Sequence, residues 1–169
     1  ERDNSSALFV NLGASYWALG QKQKAMQALR RAHFLNPLNV NATLFLSDVL
    51  FLEGSPESCI SLISMTLKYH QDNAALWARF ARAHYETGRL KGTDKAYFRK
   101  ALEALKRQAQ LNDDSGVWNN IGVTHAALEE HAKARRFFGQ ALVSANETGG
   151  PEIPLSNLVT SFIKFREYK

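Results

Sequence analysis

The side chains best suited to chemistry in this chain are its histidines and its single cysteine. His125 and His131 stand six residues apart, which puts them on different helices, and no Glu lies in the spacing used by zinc proteases. A single cysteine, Cys59, excludes an internal disulfide and a cysteine-based metal cluster. Catalysis requires a nucleophile, a base or a metal held among convergent polar groups, and the sequence offers no such set. We therefore expect no catalytic residue, no metal site and no cofactor.

The elements that carry these residues follow an internal repeat. Small and apolar positions recur after 34 residues, so that Gly20 corresponds to Gly54 and Gly88. The most complete repeat contains Leu12, Gly13, Tyr16, Gly20, Ala25, Leu29, Ala32 and Pro37. This series resembles the tetratricopeptide repeat family, although Phe9 stands where the family pattern has Trp. The resemblance covers almost the whole chain.

The resemblance implies an all-α fold, a right-handed superhelical solenoid of paired antiparallel helices with about four repeats and one extra helix. The expected repeats are at about residues 6–39, 40–73, 74–114 and 115–148, followed by the extra helix at about 154–168. We expect a single solenoid domain over residues 1–169, excised from a longer chain. Trp118 follows Trp77 by 41 residues, so the third repeat holds about seven extra residues. We place them in a long second helix or in the turn before it.

Local signals predict how these helices begin, turn and pack. Gly in a helix interior costs about 1 kcal/mol relative to Ala, so Gly13 and Gly122 indicate close contact with the second helix of their repeat. The polar residues 4–6 are expected to cap the first helix, which should begin near Ser6. Glu129 stands where earlier repeats have Gly, and we expect its turn to differ from theirs.

Three reactive side chains have a packing interpretation as well as a functional one. His84 and His125 stand where Tyr16 stands in the first repeat, which favours aromatic-like packing over metal binding or pH sensing. Cys59 takes a place where a small buried residue is wanted, which favours packing over a reactive thiol. For all three residues, packing is the preferred interpretation.

The resemblance also implies a ligand site, an inner concave groove lined by the first helix of each repeat. Amides that can both donate to and accept from a peptide backbone lie there beside a stripe of aromatic residues. The predicted peptide-binding residues are Asn11, Trp17, Asp48, Phe51, Arg79, Arg82, Tyr85, Asn119, Asn120 and Asn157. Arg79 and Arg82 are three residues apart and are expected to bracket a carboxylate of the ligand. Half-buried packing is the alternative for the aromatic residues.

The predicted function is a non-catalytic scaffold or adaptor that binds a peptide or helical segment of a partner protein. Two alternatives stay open. One is nucleic-acid binding through basic pairs on second helices, such as Arg30-Arg31 and Arg135-Arg136, which would weaken steeply with salt. The other is a regulatory domain of a larger enzyme. A solvated face explains the net charge of +5 most simply, with weak attraction to nucleic acid or acidic lipid as the alternative.

The remaining expectations concern partners and location. The apolar face of the last helix, with Phe162, Ile163 and Phe165, predicts a homo-oligomer if that helix is half of a fifth repeat rather than a cap. No run approaches the roughly 18 apolar residues of a membrane span. We expect a cytoplasmic protein, with the periplasm as the alternative, and nucleic acid is the less favoured partner.

Overall fold

The computed structural model describes the backbone of residues 2–148 and the side chains of residues 4–147. Eight α-helices and no strand occur within this range. The helices are α1 (Arg2–Ala18), α2 (Lys22–Leu35), α3 (Val40–Leu52), α4 (Pro56–Leu67), α5 (Ala74–Leu90), α6 (Lys95–Leu111), α7 (Ser115–Ala127) and α8 (His131–Thr148). The predicted extra helix, its apolar face and Asn157 lie outside the described residues.

Two compact units divide the chain within α5. Unit 1 reaches to Ala83, and unit 2 begins at His84. Unit 1 therefore contains α1 to α4 and the first part of α5, while unit 2 contains the rest of α5 with α6 to α8. Both units are built from helix pairs, a first helix followed by a short turn and a second helix.

Close helix contact explains the glycines inside first helices. A Cβ atom added at Gly13 in α1 would lie 2.7 Å from the Leu29 side chain in α2, closer than real Cβ contacts come. A Cβ atom added at Gly122 in α7 would lie 2.6 Å from the Phe138 ring in α8. Leu29 and Phe138 are both buried. The packing reason predicted for the two glycines is confirmed.

The start of α1 differs from the sequence expectation. The helix begins at Arg2, so residues 4–6 lie inside it and do not cap it. Ser6 is instead fully buried, and its hydroxyl donates to the Ala32 carbonyl oxygen at 2.9 Å. The Asn39 side chain donates to the Ser6 hydroxyl oxygen at 2.9 Å and also caps α3. Ser6 therefore ties the first helix pair to the start of α3.

The core of unit 1 lies among α2, α3, α4 and the first part of α5. Its buried members are Met26, Leu29, Leu46, Val49, Leu50, Cys59, Ile63, Leu67, Leu76 and Ala83. Trp17 and Phe51, two of the predicted ligand-binding residues, are half-buried and pack against this core. The core thereby fixes part of the surface on which ligand binding is predicted.

The third helix pair is longer than the others, and its extra residues are divided between both helices, whereas the prediction placed them in the second helix or in the turn before it. Helix α5 has 17 residues, whereas α3 and α7 have 13 each. Gly88 does not form the turn; it lies inside α5, where an added Cβ would be 3.0 Å from the Phe98 ring. The turn glycine is Gly92, with a φ of 71°. The first helix of the pair therefore continues for one extra turn, and α6 is long as well, with 17 residues.

The turn between α7 and α8 keeps the conformation of the earlier turns. Gly20 and Gly54 have φ values of 71° and 73°, and Glu129 has a φ of 64° at the equivalent place. The expectation that this turn differs is therefore wrong. An L-residue with a side chain is disfavoured in this left-handed region, so Glu129 holds a strained backbone conformation.

Candidate functional site

Two first helices of unit 1, α3 and α5, are joined by an ion pair between predicted site residues. The Arg79 Nε donates to Asp48 Oδ1 at 3.2 Å, and its Nη2 donates to Asp48 Oδ2 at 3.0 Å. Such two-point contact fixes the relative orientation of the planar guanidinium and carboxylate. The two side chains are 37% and 34% exposed, so the pair faces solvent on one side.

A second contact joins the same two helices one turn further along. The Arg82 guanidinium lies over the Phe51 ring, 4.5 Å from its centroid. Arg82 is exposed, whereas the Phe51 ring is half-buried against the core of unit 1. A cation stacked on an aromatic face is attracted by the ring's negative quadrupole, which orders the arginine without neutralising it.

These two contacts define a candidate binding surface in unit 1, which we call the α3-α5 surface. It consists of Asp48, Phe51, Arg79 and Arg82. One acidic and one basic group compensate each other in the ion pair, so the surface has a net charge of +1 carried by Arg82. An aromatic edge beside an accessible cation can receive an apolar side chain together with a carboxylate.

The ion pair also alters the prediction that both arginines bracket a ligand carboxylate. Arg79 is already held by Asp48, so the chain supplies its own carboxylate at that position. A signal for this pairing exists in the sequence. Asp48 and Arg79 are 31 residues apart, and so are Phe51 and Arg82, one helical turn less than the repeat of 34. Sequence reasoning compared equivalent positions and missed this offset.

The other predicted site residues in unit 1 are placed differently from those four. Trp17 packs half-buried against the core, and Asn11 is exposed on α1. The described hydrogen bond at Asn11 involves its backbone, whose carbonyl accepts from the Ser15 hydroxyl at 2.9 Å. The Asn11 side chain is thus exposed on α1.

Unit 2 contains Tyr85, Asn119 and Asn120. The Tyr85 ring lies 5.3 Å from the Phe98 ring of α6, and burial raises its pKa. Asn119 is half-buried, whereas Asn120 is exposed. Tyr85 therefore contributes to the packing of α5 on α6, the alternative left open for the aromatic stripe.

The two histidines at equivalent positions pack on aromatic rings of the following helix. His84 is buried, with its ring 5.9 Å from that of Tyr97. The buried His125 ring stacks on Phe137 at 5.2 Å, and its Nδ1 lies 2.6 Å from a Glu130 carboxylate oxygen. These contacts agree with the predicted aromatic-like packing. No group of three potential metal ligands occurs among the residues described.

The pKa values of His84 and Cys59 support a structural role for these two residues. Burial, with a smaller contribution from Lys100, lowers the pKa of His84 to about 4. Burial also raises the pKa of the fully buried Cys59 to about 11, and the nearby Asp48 charge acts in the same direction. Its Sγ lies 3.4 Å from the Ser47 carbonyl oxygen, to which the thiol donates. Cys59 is thus a protonated packing residue at neutral pH, as predicted.

Comparison with known proteins supports the repeat class. A sequence model of the family Tetratricopeptide repeat matches residues 6–33. The chain is 24% identical over 167 residues to the type IV pilus assembly protein PilF of Pseudomonas aeruginosa. The match covers 99% of this chain but 63% of that relative.

Solved structures share the fold. A thermophilic TPR protein of Thermus thermophilus, TTC0263, has a TM-score of 0.72 at 22% identity, covering 95% of this chain and 83% of that one. MamA has a TM-score of 0.75 at 16% identity, covering 86% and 81% of the two chains. The structure of Pseudomonas aeruginosa PilF has a TM-score of 0.73 at 22% identity, covering 99% and 72%.

Residues 6–33, within the first helix pair, match the tetratricopeptide repeat family, and the fold shared with the solved TPR structure extends over most of the chain. The predicted all-α solenoid fold is confirmed. Among the helices described, none combines the length and apolar character that crossing a bilayer requires.

Proposed function

We propose that this protein is a non-catalytic scaffold that binds a peptide or helical segment of a partner protein on its first helices. The observation that carries the proposal is the α3-α5 surface, where Arg82 lies over the half-buried Phe51. A charged hydrogen-bond donor is held there beside apolar surface without an internal carboxylate bound to it in the described contacts. The similarity to a protein named for pilus assembly supports a role of this general kind.

The side chains of this surface indicate the kind of ligand that we expect it to bind. Arg82 suits a carboxylate, and the Phe51 ring suits an adjacent aliphatic or aromatic side chain. The Asp48–Arg79 pair faces solvent on one side, so a second ligand carboxylate can compete with Asp48 for Arg79. The expected ligand is therefore a segment with an apolar residue followed or preceded by one or two acidic residues.

Further first-helix positions bind peptide in this proposal. Asn11 and Trp17 belong to the surface of unit 1, and Tyr85, Asn119 and Asn120 are proposed as peptide-binding residues of unit 2 taken by itself. The amides would hold the backbone of an extended segment, because each can donate to a carbonyl and accept from an N–H.

The test is selection of peptides from a displayed random library on the full chain, followed by affinity measurement by fluorescence anisotropy. We expect enriched peptides to combine acidic and large apolar residues. Arg82→Glu should weaken their binding at least tenfold, since a charged hydrogen bond contributes roughly 1.5–3 kcal/mol. Tyr85→Ala tests whether unit 2 contributes to peptide binding.

A matched control is Arg30→Glu, which makes the same charge change on the exposed face of α2. It should leave peptide affinity nearly unchanged. Equal binding by the parent, Arg82→Glu and Phe51→Ala proteins, with helicity retained, would place the ligand elsewhere and refute the proposal.

A further inference from the structure

We propose that one end of unit 1 is a docking surface for an anionic lipid bilayer. The surface, here called the aromatic-basic patch, is formed by the ends of α2 and α4. Its residues are Arg30, Arg31, Phe34, Met65, Lys68 and Tyr69, and all six are exposed. It shares no residue with the α3-α5 surface, so it does not depend on the proposed peptide binding.

Hydrogen bonds hold the end of α4 against the linker that follows α2. Thr66, near the end of α4, donates to the carbonyl oxygen of Pro37 at 3.3 Å, three residues beyond Phe34. The Thr66 hydroxyl also lies 2.9 Å from that of Thr43 in α3, and both threonines are fully buried. The end of α4 is thus held at the linker that begins where α2 ends, so the patch residues of both helices lie at that end of unit 1.

Large apolar side chains project from this end. Phe34 is 72% exposed, Tyr69 is 68% exposed and Met65 is 46% exposed. Single exposed apolar residues are ordinary on protein surfaces, but a contiguous group marks a site of interaction with a protein, ligand or membrane. Their high exposure means that these side chains protrude and do not line a groove.

The charge around these side chains is positive. Helix α2 carries four Lys and Arg residues and no Asp or Glu, and Lys68 adds a cation at the end of α4. The Arg31 guanidinium lies 5.4 Å from the centre of the Phe34 ring. The first acidic residue after the patch in the sequence is Asp72, three residues beyond Tyr69. The patch itself contains three cations and no carboxylate.

Protruding aromatic rings flanked by cations fit the interface of an anionic bilayer better than they fit other partners. Phe and Tyr rings enter the headgroup region, while Arg and Lys remain level with the phosphates. Each cation near an anionic bilayer increases partitioning by roughly fivefold. A nucleic-acid surface would need the cations but not Met65 or Phe34. The exposed pair Arg99-Lys100 on α6 already supplies such cations.

The experiment is cosedimentation of the full chain with vesicles of phosphatidylcholine, with and without phosphatidylglycerol, at low and high salt. We expect binding to the anionic vesicles alone, weakened by salt. Arg30→Glu with Arg31→Glu should reduce partitioning by at least about 25-fold, from two cations at roughly fivefold each. Phe34→Ser should reduce it several-fold at unchanged charge.

The matched control is Arg99→Glu with Lys100→Glu, which makes the same charge change on α6 and should weaken binding much less. Far-UV circular dichroism of each variant establishes that the fold is retained. Equal binding to neutral and anionic vesicles, no vesicle binding, or an unchanged Phe34→Ser variant would overturn the proposal. Salt-sensitive binding to a DNA or RNA duplex without vesicle binding would overturn it in favour of nucleic acid.

Discussion

Replacement of Gly122 by Ala tests the packing of α7 on α8 directly. The new methyl group would lie 2.6 Å from two atoms of the Phe138 ring, which is buried and has little room to move. Overpacking of this kind costs about 1–3 kcal/mol, and a rigid ring places the cost at the upper end. Ala gains about 1 kcal/mol over Gly in helix propensity. The net loss should be about 2 kcal/mol.

Gly139 provides the matched control, because it lies inside α8 with no heavy atom within 4 Å of an added Cβ. Gly139→Ala should therefore stabilise the protein by about 1 kcal/mol. Thermal unfolding followed by circular dichroism separates the two outcomes. For a chain of this size, a loss of about 2 kcal/mol lowers the midpoint by roughly 4–8 °C.

A double variant identifies the source of the loss. Phe138→Leu removes the ring that the new methyl group meets, so Gly122→Ala should cost less in that background than in the parent. If Gly122→Ala stabilises the protein as much as Gly139→Ala does, the contact with Phe138 is not close enough to require glycine, and the packing explanation fails.

Three further outcomes follow from the described side chains. The pKa of His84 is 6.5 in the unfolded chain and about 4 in the folded protein. Its contribution to the free energy of unfolding is therefore fully present above pH 6.5 and is lost as the pH falls towards 4. His84→Phe should remove this part of the acid-induced loss of stability, measured by urea titrations. Cys59, whose pKa is raised to about 11 by burial and by the Asp48 charge, should react with a thiol reagent at neutral pH only after denaturant is added. Glu129→Gly relieves the left-handed backbone at a φ of 64° and should raise the thermal midpoint, whereas Glu129→Gln should not.

The helix pairs could be predicted because their contacts recur at a fixed period. Gly13 and Gly122 violate helix propensity, and a violation inside a strongly helical pattern needs close packing as its cause. The same reasoning fails at Gly88. A glycine in the turn and a glycine under a packed ring are identical in sequence, so the period alone assigned Gly88 to the turn that Gly92 in fact makes.

The candidate site was predictable as a set of residues but not as a set of contacts. The resemblance to the repeat family implies which positions of each first helix face inward, and it selected Asp48, Phe51, Arg79 and Arg82 on that ground. Which side chains oppose each other depends on the offset between neighbouring helices, and this offset follows from packing. The Asp48–Arg79 pair therefore required the structure, as did the burial of Ser6 in place of a cap.

The offset of 31 residues has a consequence for how repeat proteins of this kind gain and lose repeats. Removal of the repeat at 40–73 would place Arg82 at the same offset from Trp17, and Arg79 at the same offset from Ala14. In the protein encoded by the shortened gene, Arg82 would again have an aromatic ring, that of Trp17, at the offset that allows stacking. Arg79 would have Ala14 at its offset, so the ion pair would be lost. A cation–π contact is therefore kept when this whole repeat is lost by recombination, whereas the contact between Asp48 and Arg79 requires one particular order of repeats.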